Sequence, residues 1–370
     1  MIVRGFQTHH LSIPLGRRMV NGNFAFDGLE HVLLELDVGD AVGIGHTFAF
    51  EPRQAESIRV MVIDLAETLI GRSIENVRGI WGELWQRISY IGHGGPPVMA
   101  LATVDTAIWD LLAQQAGLPL YRLLGGVSDS LPVYATGGWL SCTHSELVEE
   151  ARQFRERGAG DYKMKVGHAD WRKDVRRVEH VRAAMDAGQR LMVDANQAWE
   201  VADALAAGRA FQDLGVVWLE EPVSAHDTTG CARVTAALRL SVATGESRFA
   251  RHGLLPLLDE RAADVLMPDV MRCGGPSEFL HVAAVADARR VPVSSHCFTE
   301  VSAHLMAACP NAGPVEWVPG WTEQLFEPAL TIADGAIHLS SSAGLGFRFA
   351  ERAIRDHGVD PAPRTSVLIP

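Results

Sequence analysis

The most informative features of this sequence at first reading are the ones it lacks. Its 370 residues include only five cysteines, at 142, 231, 273, 297 and 309. They lie far apart and none forms a CxxC pair, so a zinc ribbon, a thioredoxin-like site and a disulfide framework have no support. Scattered thiols suit a reducing compartment, and the cytoplasm is the expected location. Positive charge is also short, because 33 Lys plus Arg against 45 Asp plus Glu leave a net charge of −12. A nucleic-acid binder needs a basic patch to neutralise phosphates, so nucleic acid is not an expected partner. Small anionic substrates are not excluded, because a local site can oppose the global charge. No run approaches the roughly 18 apolar residues of a membrane span. The uncharged stretch around 88–104 is broken by Gly94-Gly95 and Pro96-Pro97. The first residues, MIVRGFQTHHLSIPLG, show no apolar core of signal-peptide length. No GxGxxG or phosphate loop follows a strand-like segment, which disfavours an open nucleotide-binding sheet.

What is present is the mix of a globular chain with a large core, 47% hydrophobic and 21% charged. Glu30 to Val38 alternates as a strand does, and 41–50 reads as its partner. Helical spacing follows at about 53–70, 75–89 and 97–115, which makes 1–125 a small α+β domain ending at the breaker Gly125-Gly126. From 131 a second rhythm begins. Short Val-rich segments recur at 131–138, 161–166, 190–197, 216–222, 241–246, 264–269, 291–296 and 314–318, with helical patterns such as 144–157, 170–187, 199–213 and 275–289 between them. Eight strands alternating with helices predict an α/β fold closed as a parallel barrel over 126–320. No long helical pattern follows the eighth strand, so a tail over 321–370 is expected to return to the N-terminal domain.

Catalytic groups of such a barrel sit at the C-terminal ends of its strands. Here those ends read Lys163 and Lys165, Asp194, Glu220, Glu246, Asp269, His296 and Glu316. Asp194 to Glu220 and Glu220 to Glu246 are both steps of 26 residues, about one βα unit, so each belongs to the next strand. Three converging carboxylates would repel one another unless a cation sits among them, and all-oxygen ligands select a hard ion, most simply Mg²⁺. The alternative, that each merely caps the following helix, fits one such residue more easily than three at matched spacing. Lys163 and Lys165 point to one face of their strand, and crowding two ammonium groups is expected to lower their pKa toward a general base. Asp269 beside His296 would fix the imidazole tautomer. Glu316 is a further substrate-side candidate.

Other groups read as structural. His9-His10 are expected at the surface, Glu300 and His304 as an ordinary i,i+4 helix pair, and Trp218 and Trp199 as packing residues. Cys297 is expected on the face opposite His296, since neighbouring strand residues alternate.

These residues carry a resemblance over nearly the whole chain. The Lys163-x-Lys165 strand, VDANQ with Asp194, WLEEP with Glu220, TGE with Glu246, Asp269, His296 and Glu316 resemble the enolase superfamily, mandelate racemase subgroup. The resemblance implies a modified (β/α)7β TIM barrel under an N-terminal α+β capping domain completed by the C-terminal tail. It implies Mg²⁺ on Asp194, Glu220 and Glu246, acid/base roles for Lys165 and the His296–Asp269 dyad, and a homo-oligomer. The implied chemistry abstracts the proton α to a substrate carboxylate, with Lys163 assisting. Loss of a β-hydroxyl then gives an acid-sugar dehydratase, toward which overall similarity leans; return of the proton to the other face gives a 2-hydroxy-acid racemase. A non-catalytic binding barrel would follow had any of these residues been replaced, and none is. Substrate contacts are expected from Lys163, Asn196 and Glu316, and from Arg17, Asn21 and His46, in or near a capping loop over 14–27. Arg17, Arg18, Asn21 and Asn23 would suit a polyhydroxy acid, whereas Met19, Val20, Phe24 and Phe26 would suit an apolar group.

Overall fold

The computed structural model describes residues 1–126, 128–360 and 365–366. The first sheet is antiparallel, built from β1 (Gly5–Val20), β2 (Ala25–Asp37) and β3 (Val42–Ala49). Three helices follow, α1 (Pro52–Glu67), α2 (Val77–Arg87) and α3 (Pro96–Ala116), the last so apolar that it lies mostly buried. Glycine lets β3 meet α3, since a Cβ on Gly45 would lie 2.0 Å from the Thr103 carbonyl oxygen. The short α4 (Leu120–Leu123) leads into the barrel.

The parallel ladder runs without a break through β4 (Ser130–Gly137), β5 (Asp161–Lys165), β6 (Leu191–Asp194), β7 (Val216–Glu220), β8 (Ser241–Thr244) and β9 (Val265–Leu266). β10 (Val315–Trp317) pairs with β4 on its other side. The expected seventh strand is not a regular one. Single bridges from Leu266 to Val293, Asp269 to His296 and Val293 to Ala312 carry the circuit between β9 and β10. Pro292 has no N–H to donate, and the Ser294 and Ser295 hydroxyls bond into the next segment instead of leaving a clean ladder. The crossover helices α5 (His144–Glu156), α6 (Trp171–Ala184), α7 (Val201–Asp213), α8 (Thr228–Ala237), α9 (Ala250–Asp259), α10 (Val270–Cys273), α11 (Pro276–Ala288) and α12 (Thr299–Ala307) complete the βα units.

After β10 no helix occurs until Glu351–His357; short strands and turns fill the interval. Strand Ala336–His338 runs antiparallel along the first half of β4, and Gly358–Asp360 and Thr365–Ser366 pair with β1. The tail therefore does return to the first sheet. This pairing also corrects the placement of His9 and His10. They lie within β1, which has partners on both edges, and are buried against Glu35 and Glu30 at 3.0 and 2.7 Å.

Inside the barrel an apolar layer of Tyr134, Met192, Trp218, Ala243 and Met267 forms its own cluster. Two residues further along β4, β6 and β7 the same inward face carries Thr136, Asp194 and Glu220. No helix among the described residues is long and apolar enough to cross a membrane.

Candidate active site

Lys165, Asp194 and Glu220 sit in register on adjacent strands, with Lys165 opposite Asp194 and Asp194 opposite Glu220. Neighbouring strands lie about 4.8 Å apart, so the side chains converge without further contrivance. Carboxylate oxygens of Asp194, Glu220 and Glu246 all fall within 4.8 Å of one another, and all three residues are buried. Glu246 lies two residues beyond the end of β8, brought round by Gly245 at φ 138°. Left-handed backbone recurs at the other exits, at Asn196 (43°), Glu221 (38°) and Cys297 (46°), each within two residues of an ionisable strand-end group. Strained exits of this kind turn side chains into a mouth and are maintained by surrounding contacts.

Burial pushes the Glu220 carboxyl well above its usual range and that of Glu246 upward, with neighbouring carboxylates adding to it. Glu246 Oε2 is buried without a hydrogen bond, 3.4 Å from His296 Nε2, and Asn196 Oδ1, on another residue lining the cavity, also lacks a partner. An all-oxygen cluster with a surplus of negative charge and an orphaned acceptor fits a hard divalent cation.

The two lysines behave differently from the expectation. Burial and mutual repulsion oppose their charge, but the carboxylates outweigh both. Lys163 Nζ lies 2.6 Å from Glu220 and 2.8 Å from Glu316, and it is held well above the ordinary lysine value. Lys165 Nζ lies 2.5 Å from Asp194 Oδ2 and is also raised. Crowding two ammonium groups lowers a pKa only where counter-charges are scarcer than they are here.

His296 Nδ1 meets Asp269 Oδ2 at 2.7 Å, while Asp269 Oδ1 accepts from the amides of Met271 and Arg272 and so caps α10. Burial alone would lower the imidazolium, but the Glu246 and Asp269 carboxylates hold it well above the usual histidine value. The Cys297 expectation fails as well. Its left-handed φ breaks the strand alternation, and Sγ sits 3.4 Å from His296 Nε2. Burial pushes this thiol up to about 11, so it faces the imidazole as a neutral group. Glu316 is fully enclosed by Thr136, Lys163 and the Cys297 amide, and its carboxyl is held low chiefly by Lys163 against the cost of burial.

A cavity of about 280 Å³ opens above this floor, and Lys165, Asn196, Glu246, Asp269 and His296 all line it. Its roof comes from the first domain. The expected loop over 14–27 is in fact the end of β1, a turn at 21–24 and the start of β2. Asn21 Oδ1 closes that turn by accepting from the amides of Asn23 and Phe24, and Asn23 Nδ2 donates to the Asn196 carbonyl. Asn21 lines the cavity. Arg17 does not; it pairs with buried Glu150 of α5, outside the cavity. His46 does not either. It stacks on His31 at 2.9 Å between ring nitrogens, against Phe298 and Phe326, and burial drops it to about 3. Glu300 and His304 are no pair: Glu300 binds Thr322, and His304 joins the Tyr121 amide to the Leu345 carbonyl. Trp218 and Trp199 are buried packing residues.

Two contributors escaped the sequence reading. Arg177 of α6 is buried and donates to the carbonyls of Lys165, Gly138 and Trp139, which fixes the exits of β4 and β5. Nothing in the charged run RKDVRR distinguishes it from its neighbours. Arg272 lines the cavity and donates to the Glu246 carbonyl at 2.9 Å. Its place three residues after a strand-end Asp was an available signal.

Residues 146–353 match the family described as enolase C-terminal domain-like, and 26–125 match the mandelate racemase/muconate lactonizing enzyme N-terminal domain. The L-talarate/galactarate dehydratase of Salmonella typhimurium LT2 is 35% identical over 317 residues, which is 85% of this chain and 78% of that protein. Its structure with Mg and L-lyxarohydroxamate superposes with a TM-score of 0.93, covering 99% of this chain and 94% of the other at 30% identity. The arabinonate dehydratase of Saccharolobus solfataricus is 25% identical, covering 89% of this chain and 91% of the relative.

Proposed function

The chain belongs to the mandelate racemase/muconate lactonizing enzyme family of the enolase superfamily, and from that membership we propose that it is a Mg²⁺-dependent acid-sugar dehydratase. One observation carries the proposal: Lys165 and His296 line the same cavity as the carboxylate Glu246, with Asp194 and Glu220 beneath. Asp194, Glu220 and Glu246 would hold the ion, which when bound supplies a Lewis acid for charge developing on the substrate carboxylate.

The protein groups do the rest. Lys163, buried between Glu220 and Glu316 and not itself lining the cavity, would add positive charge beneath the site where that carboxylate binds. Lys165 Nζ, which Asp194 holds as an ammonium in the substrate-free site, would first release that proton to solvent; the neutral amine then takes the α-proton, and the C–H electron pair moves into the carboxyl group to give an enediolate. That pair then forms the C2–C3 double bond as the C3–O bond breaks. His296 Nε2–H gives its proton to the departing hydroxyl, so water leaves, and the enol tautomerises to a 2-keto-3-deoxy acid. Asp269 holds the imidazolium and its orientation. Asn196 and Asn21 supply hydrogen-bonding capacity at the cavity wall.

A racemase would use the same two bases, returning the proton through His296 instead of expelling water. The two outcomes separate in one experiment. Purified protein with Mg²⁺ is given a panel of acid sugars and 2-hydroxy acids, and 2-keto acid formation and α-proton exchange with D2O are followed. Keto-acid formation supports dehydration, exchange with inversion and no keto acid supports racemisation, and neither with any substrate refutes both. The five cysteines are free, which fits a cytoplasmic enzyme. Family membership favours a homo-oligomer, measurable by light scattering.

A further inference from the structure

The floor and the roof of the cavity differ sharply in chemistry. Every charged group lining it comes from the barrel: Lys165, Glu246, Asp269, Arg272 and His296. These groups are already engaged around the carboxylate cluster and the His–Asp dyad, and Arg272 is anchored on the Glu246 carbonyl. On the capping side no charged residue lines the cavity among the described residues.

What lines that side is aromatic. Phe24 and Phe50 meet at a tilt with 4.8 Å between centroids, Phe48 lies on Phe298 at 4.9 Å, and Phe48 and Phe50 both meet Trp321 edge-on. Trp321 in turn stacks against Trp139 at 6.1 Å. The wall is continuous from the roof to the β4 exit. Phe24 stands at the turn of the β1–β2 hairpin and is 43% exposed although it borders the cavity. A large ring left in water at a cavity mouth is a surface that a ligand can cover.

An aldarate carries a carboxylate at each end. With one at the metal floor, the other would face this wall, where it would be desolvated with no cation to pair with. Burying an unpaired charge is far costlier than burying the C–H face of an uncharged chain. Aromatic rings present flat apolar surface suited to that C–H face. Gln54, Ser57 and Asn21 remain at the roof to meet hydroxyl groups.

We propose that the aromatic, cation-free roof selects a monocarboxylic acid sugar, an aldonate with an uncharged distal end, over the dicarboxylic aldarate of the same configuration. This deepens the dehydratase reading and rests on it. The test is kcat/KM on matched pairs, such as galactonate with galactarate and gluconate with glucarate, each with Mg²⁺ and each also assayed for α-proton exchange. The expected result is a preference for the aldonate of at least about tenfold in whichever pair is turned over. Gln54→Arg, a change at an exposed position of α1 on the cavity rim, should shrink that preference by supplying the missing cation. An aldarate used as well as or better than its aldonate overturns the inference while leaving the dehydratase intact. An unchanged ratio in Gln54→Arg also overturns it, because the distal end would then lie elsewhere. No keto acid and no exchange with any member refutes the dehydratase reading itself, and the inference falls with it.

Discussion

Replacing Asp269 by Asn probes the proposed acid with little disturbance of the fold. Asp269 does two jobs through separate oxygens: Oδ1 accepts from the Met271 and Arg272 amides, and Oδ2 faces His296 Nδ1 at 2.7 Å. Asparagine keeps the first job, since its carbonyl oxygen caps a helix about as well as a carboxylate. Its amide nitrogen is then directed at Nδ1 as a donor. An imidazolium needs an acceptor there, so the substitution removes a buried charge-assisted hydrogen bond and sets two donors against each other. The lost bond alone is worth about 1.5–3 kcal/mol, and the opposed donors add to it. General acid catalysis contributes roughly 10²–10⁴-fold, or about 3–5 kcal/mol, which bounds the effect from above. Dehydration should therefore fall by about 10²–10⁴, with the melting temperature lowered by no more than about 10 °C and the fold retained. In the proposed mechanism Lys165 acts on the α-carbon without this dyad, so α-proton exchange should persist and its ratio to keto-acid formation should rise. Dehydration within about threefold of wild type, or exchange falling in parallel with it, would refute the division of labour between the two groups.

Three further outcomes follow from the geometry. Mg²⁺ relieves the crowded, up-shifted Glu220 and Glu246 carboxyls, so thermal denaturation should show stabilisation of about 2.7 kcal/mol at a concentration 100 times Kd. EDTA should reverse that gain and Glu246→Gln should abolish it; a full gain in Glu246→Gln would exclude Glu246 as a ligand. Arg17→Ala should alter kcat/KM by less than about twofold, because Arg17 is engaged with Glu150 outside the cavity; a tenfold rise in KM would place it on the substrate after all. His304 is buried neutral, with burial lowering it to about 4 from 6.5. A depressed folded pKa means that its contribution is complete above pH 6.5 and is lost as pH falls toward 4, by about 3 kcal/mol. Urea denaturation of His304→Gln between pH 7 and 4 should show a shallower acid loss than wild type, and parallel curves would contradict the assignment.

The catalytic floor was legible because it is a consequence of period and count. Side chains two apart on a strand share a face, and one ionisable group per βα unit puts successive groups on successive strands, so Lys165, Asp194 and Glu220 meet by register alone. The metal chemistry followed from residue type, since three carboxylates in one mouth have few other stable uses. Local rules failed where the backbone left its regular path. Cys297 departs from alternation through a left-handed φ, Pro292 thins the ladder between β9 and β10, and the lysine charge state depended on how many carboxylates surround each ammonium group.

The roof was decided by tertiary structure. Within 14–27 the sequence offers arginines, asparagines and phenylalanines on equal terms, and each would suit a substrate. Folding turns Arg17 outward to Glu150, leaves Asn21 to close a turn, and aligns Phe24 with Phe50, Phe48 and Trp321, the last nearly 300 residues away. Such contacts depend on how a hairpin of one domain lies across the mouth of another. Strand alternation carries no information about that placement, which is set by packing between surfaces remote in the chain. The sequence by itself therefore determined which ionisable groups converge at the barrel mouth, and the docking of the two domains decided which side chains line the rest of the cavity.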